Sequence, residues 1–215
     1  MSGSTPTTPR DAASLVIVRE RRSRPEVLMG RRPTRDRFMP DVWVFPGGRV
    51  DPEDASIPLQ ADLRRRDFER FLGRVSTRRA RMLGVAAIRE TFEETGLLLG
   101  KQEGGALRPD LASLEYLARA ITPAQSNIRY HARFFLAREQ HVSGALRSNG
   151  ELLDLEWLPF SRASALPLVD VTQHVLAEAE HRLTGGRFRG VPLISYREGA
   201  IRLRYENAPA SPHDS

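Results

Sequence analysis

Hydrophobic positions recur along this chain with two periods, one typical of strands and one typical of helices. The clearest alternation covers residues 128–136, where Tyr130 and Phe134 face one way and His131 and Arg133 face the other. That pattern predicts a half-buried strand. Short apolar or β-branched runs between turn residues predict further strands at 14–18, 26–29, 43–45, 152–158, 191–196 and 201–205.

Helical patterns lie between these strands. Residues 79–95 contain no proline and a single glycine, and they end at Gly96, which suits the left-handed conformation that closes many helices. Asp170 followed by Gln173 resembles a capping box and predicts a second helix over 170–183.

The order of these elements predicts an α/β fold of the α+β type, in which a mixed β-sheet lies between helices. We expect a single domain over 13–206, because 215 residues are many for one small domain and few for two. Disordered tails are predicted at 1–12 and 207–215. The polar, arginine-rich block 51–80 is predicted to be an insertion that is partly helical.

Composition excludes several classes of function. The chain has no cysteine, which excludes disulfide scaffolds, zinc–thiolate sites and thiol catalysis. No run of about 18 apolar residues occurs, and residues 1–10 lack the apolar core of a secretory signal. We therefore expect a cytoplasmic protein that does not enter membranes. The formal net charge of +6 attracts anions, which include phosphorylated metabolites and nucleic acid.

Three glutamates are the main candidates for chemistry. Glu90, Glu93 and Glu94 have i, i+3 and i+4 spacing, which places them on one face of a helix. A hard divalent cation would relieve their mutual repulsion, and Mg²⁺ in such sites is usually completed by substrate phosphates. The alternative is a solvated acidic face paired with Arg89 and Arg81, and the spacing alone does not separate the two.

The segment from Arg89 to Leu97 resembles the second half of the Nudix box, in which Arg-Glu, an apolar residue, any residue, Glu-Glu, any residue, Gly and an apolar residue follow one another. The arginine, the three glutamates, the glycine and the final leucine fit, whereas Thr91 fills the usual apolar position. The glycine that opens the box has its counterpart in Gly47-Gly48, after a predicted strand. The resemblance extends from residue 14 to residue 183. It implies the Nudix fold and a hydrolase that splits diphosphate linkages.

Two departures from the family pattern concern the region between these halves. Gly48 and Arg89 lie 41 positions apart, about 27 more than in the usual box. The first glutamate of the box, which mainly orients the helix in the family, is missing: its position falls on Asp54 when counted from Gly48 and on Arg81 when counted from Arg89. The insertion, with the neighbouring Arg-Phe-Met-Pro and Phe-Pro-Gly-Gly-Arg-Val-Asp stretches, is similar to that of the larger coenzyme A diphosphatases.

The resemblance implies roles for individual residues. Glu90, Glu93 and Glu94 would be metal ligands, together with the backbone carbonyl of Gly47, and the metal would be Mg²⁺ or Mn²⁺. Arg89 would pair with one of the glutamates and hold its rotamer.

A general base is also required. Glu93 is one candidate, because the family often uses a glutamate of the box. Glu151 is the other, because many relatives use a glutamate from the loop before a late strand. Asp154 and Glu156 are weaker alternatives. For Glu151, an ordinary surface carboxylate is the competing interpretation.

Arginines are the candidates for substrate binding. Arg31, Arg32 and Arg49 lie at predicted strand ends beside the glycine loop, where a guanidinium can hold a phosphate by two hydrogen bonds. The insertion and its C-terminal edge carry eight more: Arg64, Arg65, Arg66, Arg70, Arg74, Arg78, Arg79 and Arg81. If the insertion folds over the active site, some of these would bind a second phosphate, such as the one on the ribose of coenzyme A. A solvated helix face is the alternative.

The expected function is metal-dependent hydrolysis of the diphosphate linkage of a small nucleoside diphosphate derivative, with coenzyme A or acyl-coenzyme A as the leading substrate. ADP-ribose, NADH, dinucleotides and nucleoside triphosphates are the alternatives within the family. A Nudix module that binds a nucleotide without catalysis is a third hypothesis, and the intact glutamates argue against it. We expect no nucleic acid partner, because no helix-turn-helix segment is attached. A homodimer is expected, since relatives often form one.

Overall fold

The computed structural model describes residues 8–21, 24–35, 39–70, 75–126 and 128–207, without the side chain of Phe68. In chain order, the elements of these residues are β1 (Arg10–Arg21), β2 (Arg24–Arg31), β3 (Trp43–Val44), β4 (Gly47–Arg49), α1 (Arg65–Arg70), α2 (Thr77–Thr95), β5 (Leu97–Glu103), β6 (Ala106–Pro109), β7 (Glu115–Ile121), β8 (Tyr130–Arg138), β9 (Val142–Gly144), β10 (Leu153–Pro159), α3 (Phe160–Ala163), α4 (Asp170–Leu183), β11 (Val191–Arg197) and β12 (Ala200–Glu206). Short 3-10 helices lie at Pro52–Ala55, Leu111–Ser113 and Glu139–His141. None of the described helices is long and apolar enough to cross a membrane.

A large mixed sheet runs through the centre of the molecule in the order β10-β2-β1-β8-β7-β11-β12. Strand β3 adds to β2, and β4 adds to β1. The pairs β1–β8 and β7–β11 are parallel, and the other pairs are antiparallel. Strand β4 pairs with the first part of β1, so that Gly47 stands opposite Ser14. A smaller sheet has the order β6-β5-β9.

Helices cover this sheet on both faces. Helix α2 packs on one face, where Leu83 and Ile88 meet Leu15 and Ile17 of β1. Helices α3 and α4 pack on the other face, where Val175 joins the second part of the core. The expected mixed sheet between helices is therefore confirmed. Burial on both faces gives the central strands apolar residues in both directions.

This double coverage explains two errors of the sequence analysis. The strand expected at 128–136 is β8, but it is not half-buried, because Phe134, Phe135 and Leu136 are all buried. Strand β7 was not predicted at all. Its buried run has no alternation and is interrupted by Arg119, whose charge is compensated by Glu206 at 2.7 Å.

The ends of two elements also differ from expectation. Residues 10–12, expected in a disordered tail, begin β1 and pair with β8. Helix α4 begins at Asp170 as expected, but the capping box is wrong, because Val169 is the N-cap residue and no side chain caps the helix. Asp170 is the first helical residue, where its charge still favours the helix N-terminus. Residues 1–7 and 208–215 of the expected tails lie outside the described residues.

The insertion packs beside the sheet, with α1 against β7. Asp67, whose side chain is fully buried, anchors it by accepting a hydrogen bond from the backbone N–H of Tyr116 at 3.2 Å. Arg64 and Arg70 pair with the same carboxylate at 3.1 and 3.3 Å. These contacts hold the helix of the insertion at the β7 side of the molecule.

Candidate functional site

Gly47 and Gly48 leave room for the carboxyl groups of Glu90 and Glu94, which extend from α2 toward the face of the sheet that α4 covers. A Cβ atom on Gly48 would lie 2.3 Å from the carboxyl carbon of Glu90, so the absence of a side chain creates the space that this carboxyl group occupies. A Cβ atom on Gly47 would lie 2.4 Å from the carbonyl oxygen of Ala13. The φ of Gly47 is 151°, a value that other residues rarely adopt.

Glu94 and Glu90 are carboxylates in unfavourable surroundings. Glu94 is only 7% exposed, and its Oε2 accepts a hydrogen bond from the N–H of Gly47 at 2.8 Å. Burial raises the pKa of Glu94 to about 8; the Gly47 N–H opposes this, and the charges of Glu90 and Glu151 add to it. Burial also raises the pKa of Glu90, against the effect of Arg89. For both carboxyl groups, the effect of burial on the pKa therefore outweighs that of the positive charges nearby.

Arg89 ties the helix to the glycine loop. Its Nε donates to Asp54 Oδ1 at 2.8 Å, and Nη1 donates to Glu90 at 3.0 Å and to Glu93 at 3.2 Å. Its Nη2 donates to the carbonyl oxygen of Arg49 at 3.1 Å. Burial works against the charge of Arg89, but the hydrogen bond and charge of Asp54 raise its pKa. Arg89 thus contacts Glu90 and Glu93, but not Glu94.

Asp54 is one of the two positions on which the missing first glutamate of the box falls, and its carboxylate holds Arg89. It lies in the 3-10 helix Pro52–Ala55, its side chain is fully buried, and the N–H of Asp51 donates to it at 2.8 Å. The expectation that the box lacks its orienting acid is therefore wrong. The insertion begins after Asp54, so the position of the box acid is found correctly only when it is counted from Gly48. At that position an aspartate supplies the carboxylate that holds Arg89.

Carboxylate oxygens are suitable ligands for a hard divalent cation, but the three glutamates of the box are not already arranged around one point. Among the described residues, no three acidic or histidine side chains are already assembled around one point. Glu90 and Glu94 converge beside Gly47 and Gly48, whereas the side chain of Glu93 is 48% exposed and held by Arg89. The donors are oxygens only, and a cation would offset the burial of the two raised-pKa carboxylates. Remaining ligands would come from a backbone carbonyl, water or phosphate.

A cleft of about 650 Å³ lies on the face of the sheet that α4 covers. Its floor consists of small side chains from neighbouring strands, namely Ala12, Ser14, Ala120 and Ala132. The glycines, Glu90 and Glu94 lie at the β4 end of the cleft. The first turn of α4 lies at the other end. The cleft therefore extends well beyond the carboxylates, across several strands.

Several of the expected site residues meet at the β4 end. Arg32, Arg49 and Glu151 line the cleft there together with Glu90 and Glu94. Glu151 is close enough for its charge to raise the pKa of Glu94. Arg35, which the sequence analysis missed, also lines this end, and its Nη2 donates to the carbonyl oxygen of Gly150 at 3.5 Å. Nothing in the sequence distinguishes Arg35 from other surface arginines.

Other expected residues are engaged elsewhere. Arg31 does not line the cleft, because it bonds to Asp41 and Asp154, both at 2.7 Å. Neighbouring residues of an extended chain point to opposite sides, so Arg32 faces the cleft and Arg31 does not. Asp154 is therefore paired with Arg31, and Glu156 is paired with Arg162 at 2.7 Å. Both weaker candidates for the general base are thus committed to ion pairs.

The arginines of the insertion do not reach the cleft. None of the seven that the structure describes lines it, and Arg74 lies outside the described residues. Arg65 pairs with Glu69 at 2.9 Å, and Arg81 pairs with Asp62. Of the two interpretations, the described part of the insertion does not favour the one in which it folds over the active site, because Asp67 holds it against β7.

Comparison with known proteins gives one curated relative, and no family model matches the chain. A Caenorhabditis elegans protein described as "Putative nudix hydrolase 7" is 35% identical over 108 residues. The match covers 49% of this chain and 28% of that protein, so the chain spans little more than a quarter of its relative.

Solved structures share the fold over most of the chain. A NUDIX hydrolase from Alicyclobacillus acidocaldarius superposes with a TM-score of 0.64 and 28% identity, over 80% of this chain and 90% of that one. The NUDIX domain of Shewanella oneidensis NrtR, solved with ADP ribose, gives a TM-score of 0.53 at 14% identity, over 82% and 90% of the two chains. The second likeness shows the fold alone. The chain is thus similar in part of its sequence to a curated Nudix hydrolase and in most of its fold to a solved one.

Proposed function

We propose that this protein is a Mg²⁺- or Mn²⁺-dependent pyrophosphohydrolase that cleaves the diphosphate linkage of a nucleoside diphosphate derivative. One observation carries the proposal. Two carboxylates of one helix, the buried Glu94 and the partly buried Glu90, converge on side-chain-free backbone in a cleft whose rim carries Arg32, Arg35 and Arg49. Carboxylates whose burial is incompletely offset, with guanidinium groups on the rim of the cleft, suit a cation bound together with a diphosphate.

Each of these groups has a separate role in the proposed reaction. Glu90, Glu94 and the Gly47 carbonyl would hold the metal, with Glu93 as a further ligand once it leaves Arg89. A bound metal of this kind polarises phosphoryl oxygens and lowers the pKa of water. The rim arginines would orient the phosphates. In the reaction, water adds to one phosphorus, the bridging P–O bond breaks, and each half keeps one phosphate.

Glu151 is our proposed general base. It lines the cleft close to Glu94, and its side chain accepts no hydrogen bond or ion pair from the residues that the structure describes. Glu93, the other candidate, is held by Arg89 and does not line the cleft. Glu151 is therefore better placed to take a proton from water that attacks a phosphate at Glu90 and Glu94.

Coenzyme A or acyl-coenzyme A is the proposed substrate. The insertion inside the box supports this through its similarity to the coenzyme A diphosphatases, and the length of the cleft accommodates a long substrate. Recognition of the ribose phosphate would fall to the rim arginines Arg35 and Arg49, because the insertion lies elsewhere. ADP-ribose and NADH are the diphosphates to compare with it.

The proposal predicts that hydrolysis requires a divalent cation and that Mn²⁺ replaces Mg²⁺. Purified protein would be assayed for phosphate release, after coupled phosphatase treatment, from coenzyme A, acyl-coenzyme A, ADP-ribose, NADH, dinucleoside polyphosphates and nucleoside triphosphates. We expect activity on at least one diphosphate with either metal and none in excess chelator. Full activity in chelator would contradict the metal-centred mechanism, and inactivity on every substrate with both metals would favour a nucleotide-binding module.

A further inference from the structure

Arg31 joins two segments that border the cleft, although its own side chain does not line the cleft. Its Nε donates to Asp154 Oδ2 and its Nη1 donates to Asp41 Oδ1, both at 2.7 Å. Asp41 lies shortly before β3, whereas Asp154 lies in β10, shortly after Glu151. One guanidinium group is therefore bonded to two segments, and one of them carries the proposed general base.

Both aspartates that Arg31 binds have a backbone conformation that is uncommon for residues other than glycine. The φ of Asp41 is 57° and that of Asp154 is 51°. Aspartate tolerates this left-handed region better than most residues, but the conformation persists only where neighbouring groups hold it. The hydrogen bonds from Arg31 are contacts that hold both aspartates in this way.

Asp154 also lies at an irregularity of β10. The pairing of β10 with β2 shifts its register around Asp154, with one more residue on β10 than on β2. Leu152 and Leu155 pack on Gly30, where a Cβ atom would lie 2.9 Å from Leu152 Cβ and 2.8 Å from Leu155 Cδ2. Such a bulge changes the direction in which nearby side chains point. The direction of Glu151, which directly precedes Leu152, therefore depends on how this segment is fixed.

The backbone, and not the side chain, holds Glu151 at the cleft. Its carboxylate has no hydrogen-bond or ion-pair partner among the residues that the structure describes. Its N–H donates to Asn149 Oδ1 at 2.9 Å, and Arg35 donates to the carbonyl oxygen of Gly150 at 3.5 Å. The position of the carboxylate is thus set by the segment 149–154, and Arg31 binds the end of that segment.

We propose that Arg31 is a positioning residue, which holds the segment 149–154 so that the Glu151 carboxylate faces the phosphates of the substrate. The inference rests on the proposed function, because it takes Glu151 as the general base. Arg31 would not touch the substrate, in contrast to the phosphate-binding role expected from the sequence. The two roles differ in kinetics: loss of a phosphate contact made in the ground state raises KM, whereas a displaced base lowers kcat.

The test compares three variants with the wild type on the diphosphate that is cleaved best among coenzyme A, ADP-ribose and NADH. Arg31→Gln and Asp154→Ala remove the bond between the two residues. Each is expected to lower kcat about 10-fold with little change in KM, because a displaced base slows the chemical step. Asp154→Asn keeps an acceptor oxygen and suits the left-handed conformation, so its kcat should stay within about 3-fold of the wild type.

A double variant and a control show whether the effect passes through Glu151. In a Glu151→Gln background, Arg31→Gln should lower kcat no further, because the base that Arg31 positions is already absent. Arg162→Gln is the matched control. It removes another exposed ion pair of β10, the one with Glu156 at 2.7 Å, and should leave kcat unchanged.

Amide hydrogen exchange of peptides that cover 149–154, measured without substrate, is independent of catalysis. Arg31→Gln is expected to raise the exchange rate of this segment several-fold and to leave α4 unchanged. The thermal unfolding midpoint should hardly change, because the side chains of Arg31, Asp41 and Asp154 are 30%, 50% and 55% exposed and solvent screens such pairs.

Three results would overturn the inference alone and leave the proposed function standing. They are a raised KM with unchanged kcat in Arg31→Gln, a full further loss of kcat in the Glu151→Gln background, and unchanged hydrogen exchange at 149–154. The first would make Arg31 a phosphate ligand. A wild type that hydrolyses none of the diphosphates would overturn the proposed function, and this inference with it.

Discussion

Replacing Glu94 by glutamine is expected to lower kcat at least ~100-fold, which corresponds to roughly 2.7 kcal/mol of transition-state stabilisation. The amide keeps the size of the side chain and still accepts the hydrogen bond from the N–H of Gly47. What it removes is the charge, and with it a proposed metal ligand. Weaker binding of Mn²⁺, measured by calorimetry without substrate, should accompany the loss. Stability should not fall, because a buried carboxylate of raised pKa is replaced by a neutral group.

Glu180→Gln is the matched control, because Glu180 is an exposed helical glutamate on α4, away from the cleft. It should leave turnover and Mn²⁺ binding unchanged. If Glu94→Gln retained activity within a few-fold of the wild type, Glu94 would only fasten α2 to the glycine loop, since glutamine can do that equally well.

The same two measurements separate the candidates for the general base. Glu151→Gln is expected to lower kcat by about 100-fold or more while leaving Mn²⁺ binding unchanged, since a base takes a proton and need not touch the metal. Glu93→Gln is expected to lower kcat to a similar extent and to weaken Mn²⁺ binding as well. If instead Glu93→Gln left Mn²⁺ binding intact and Glu151→Gln weakened it, Glu93 would be the general base.

Removal of Asp54 should produce the largest loss of stability among the site variants. The Asp54 side chain is fully buried and that of Arg89 is 14% exposed, and the two are joined at 2.8 Å. Asp54→Ala would leave Arg89 without its main partner, and breaking such a buried pair costs about 3–5 kcal/mol of unfolding free energy. Urea unfolding of the wild type and the variant measures the difference. Activity should also fall, because the freed guanidinium can bind Glu90 and Glu93 more tightly.

An aspartate of the insertion provides the comparison. Asp62 pairs with Arg81 at a site where the two side chains are 37% and 47% exposed. Asp62→Ala should therefore cost no more than about 1 kcal/mol, since solvent screens exposed pairs. Adding Arg89→Met to Asp54→Ala should recover part of the lost stability without restoring activity. Equal small losses for both aspartates would show that Asp54 has no special structural role.

Features that depend on neighbouring residues could be predicted from the sequence. The carboxylate face of α2 follows from i, i+3 and i+4 geometry, and Gly96 closes the helix in the left-handed conformation, with φ of 71°. The strands expected at 191–196 and 201–205 form the hairpin β11–β12, in which the turn residues Glu198 and Gly199 both have positive φ. The strand before Gly47 was also expected. Each of these depends on backbone preferences over a few residues, which a sequence displays directly.

Features that depend on distant segments required the tertiary structure. Asp54 and Arg89 meet across 35 positions, and because of the insertion between them the counts from Gly48 and from Arg89 gave two different positions for the box acid. The side of the sheet on which the insertion packs depends on Asp67 and its contact with β7. Arg31 and Arg32 are adjacent and chemically identical, yet only Arg32 faces the cleft. The end of the cleft at α4 combines residues of α4, β8 and β11, and the uncapped start of α4 contradicts the local capping pattern. Burial and pairing of this kind arise only when the whole sheet is assembled, because they depend on which surfaces meet and not on the order of residues within one segment.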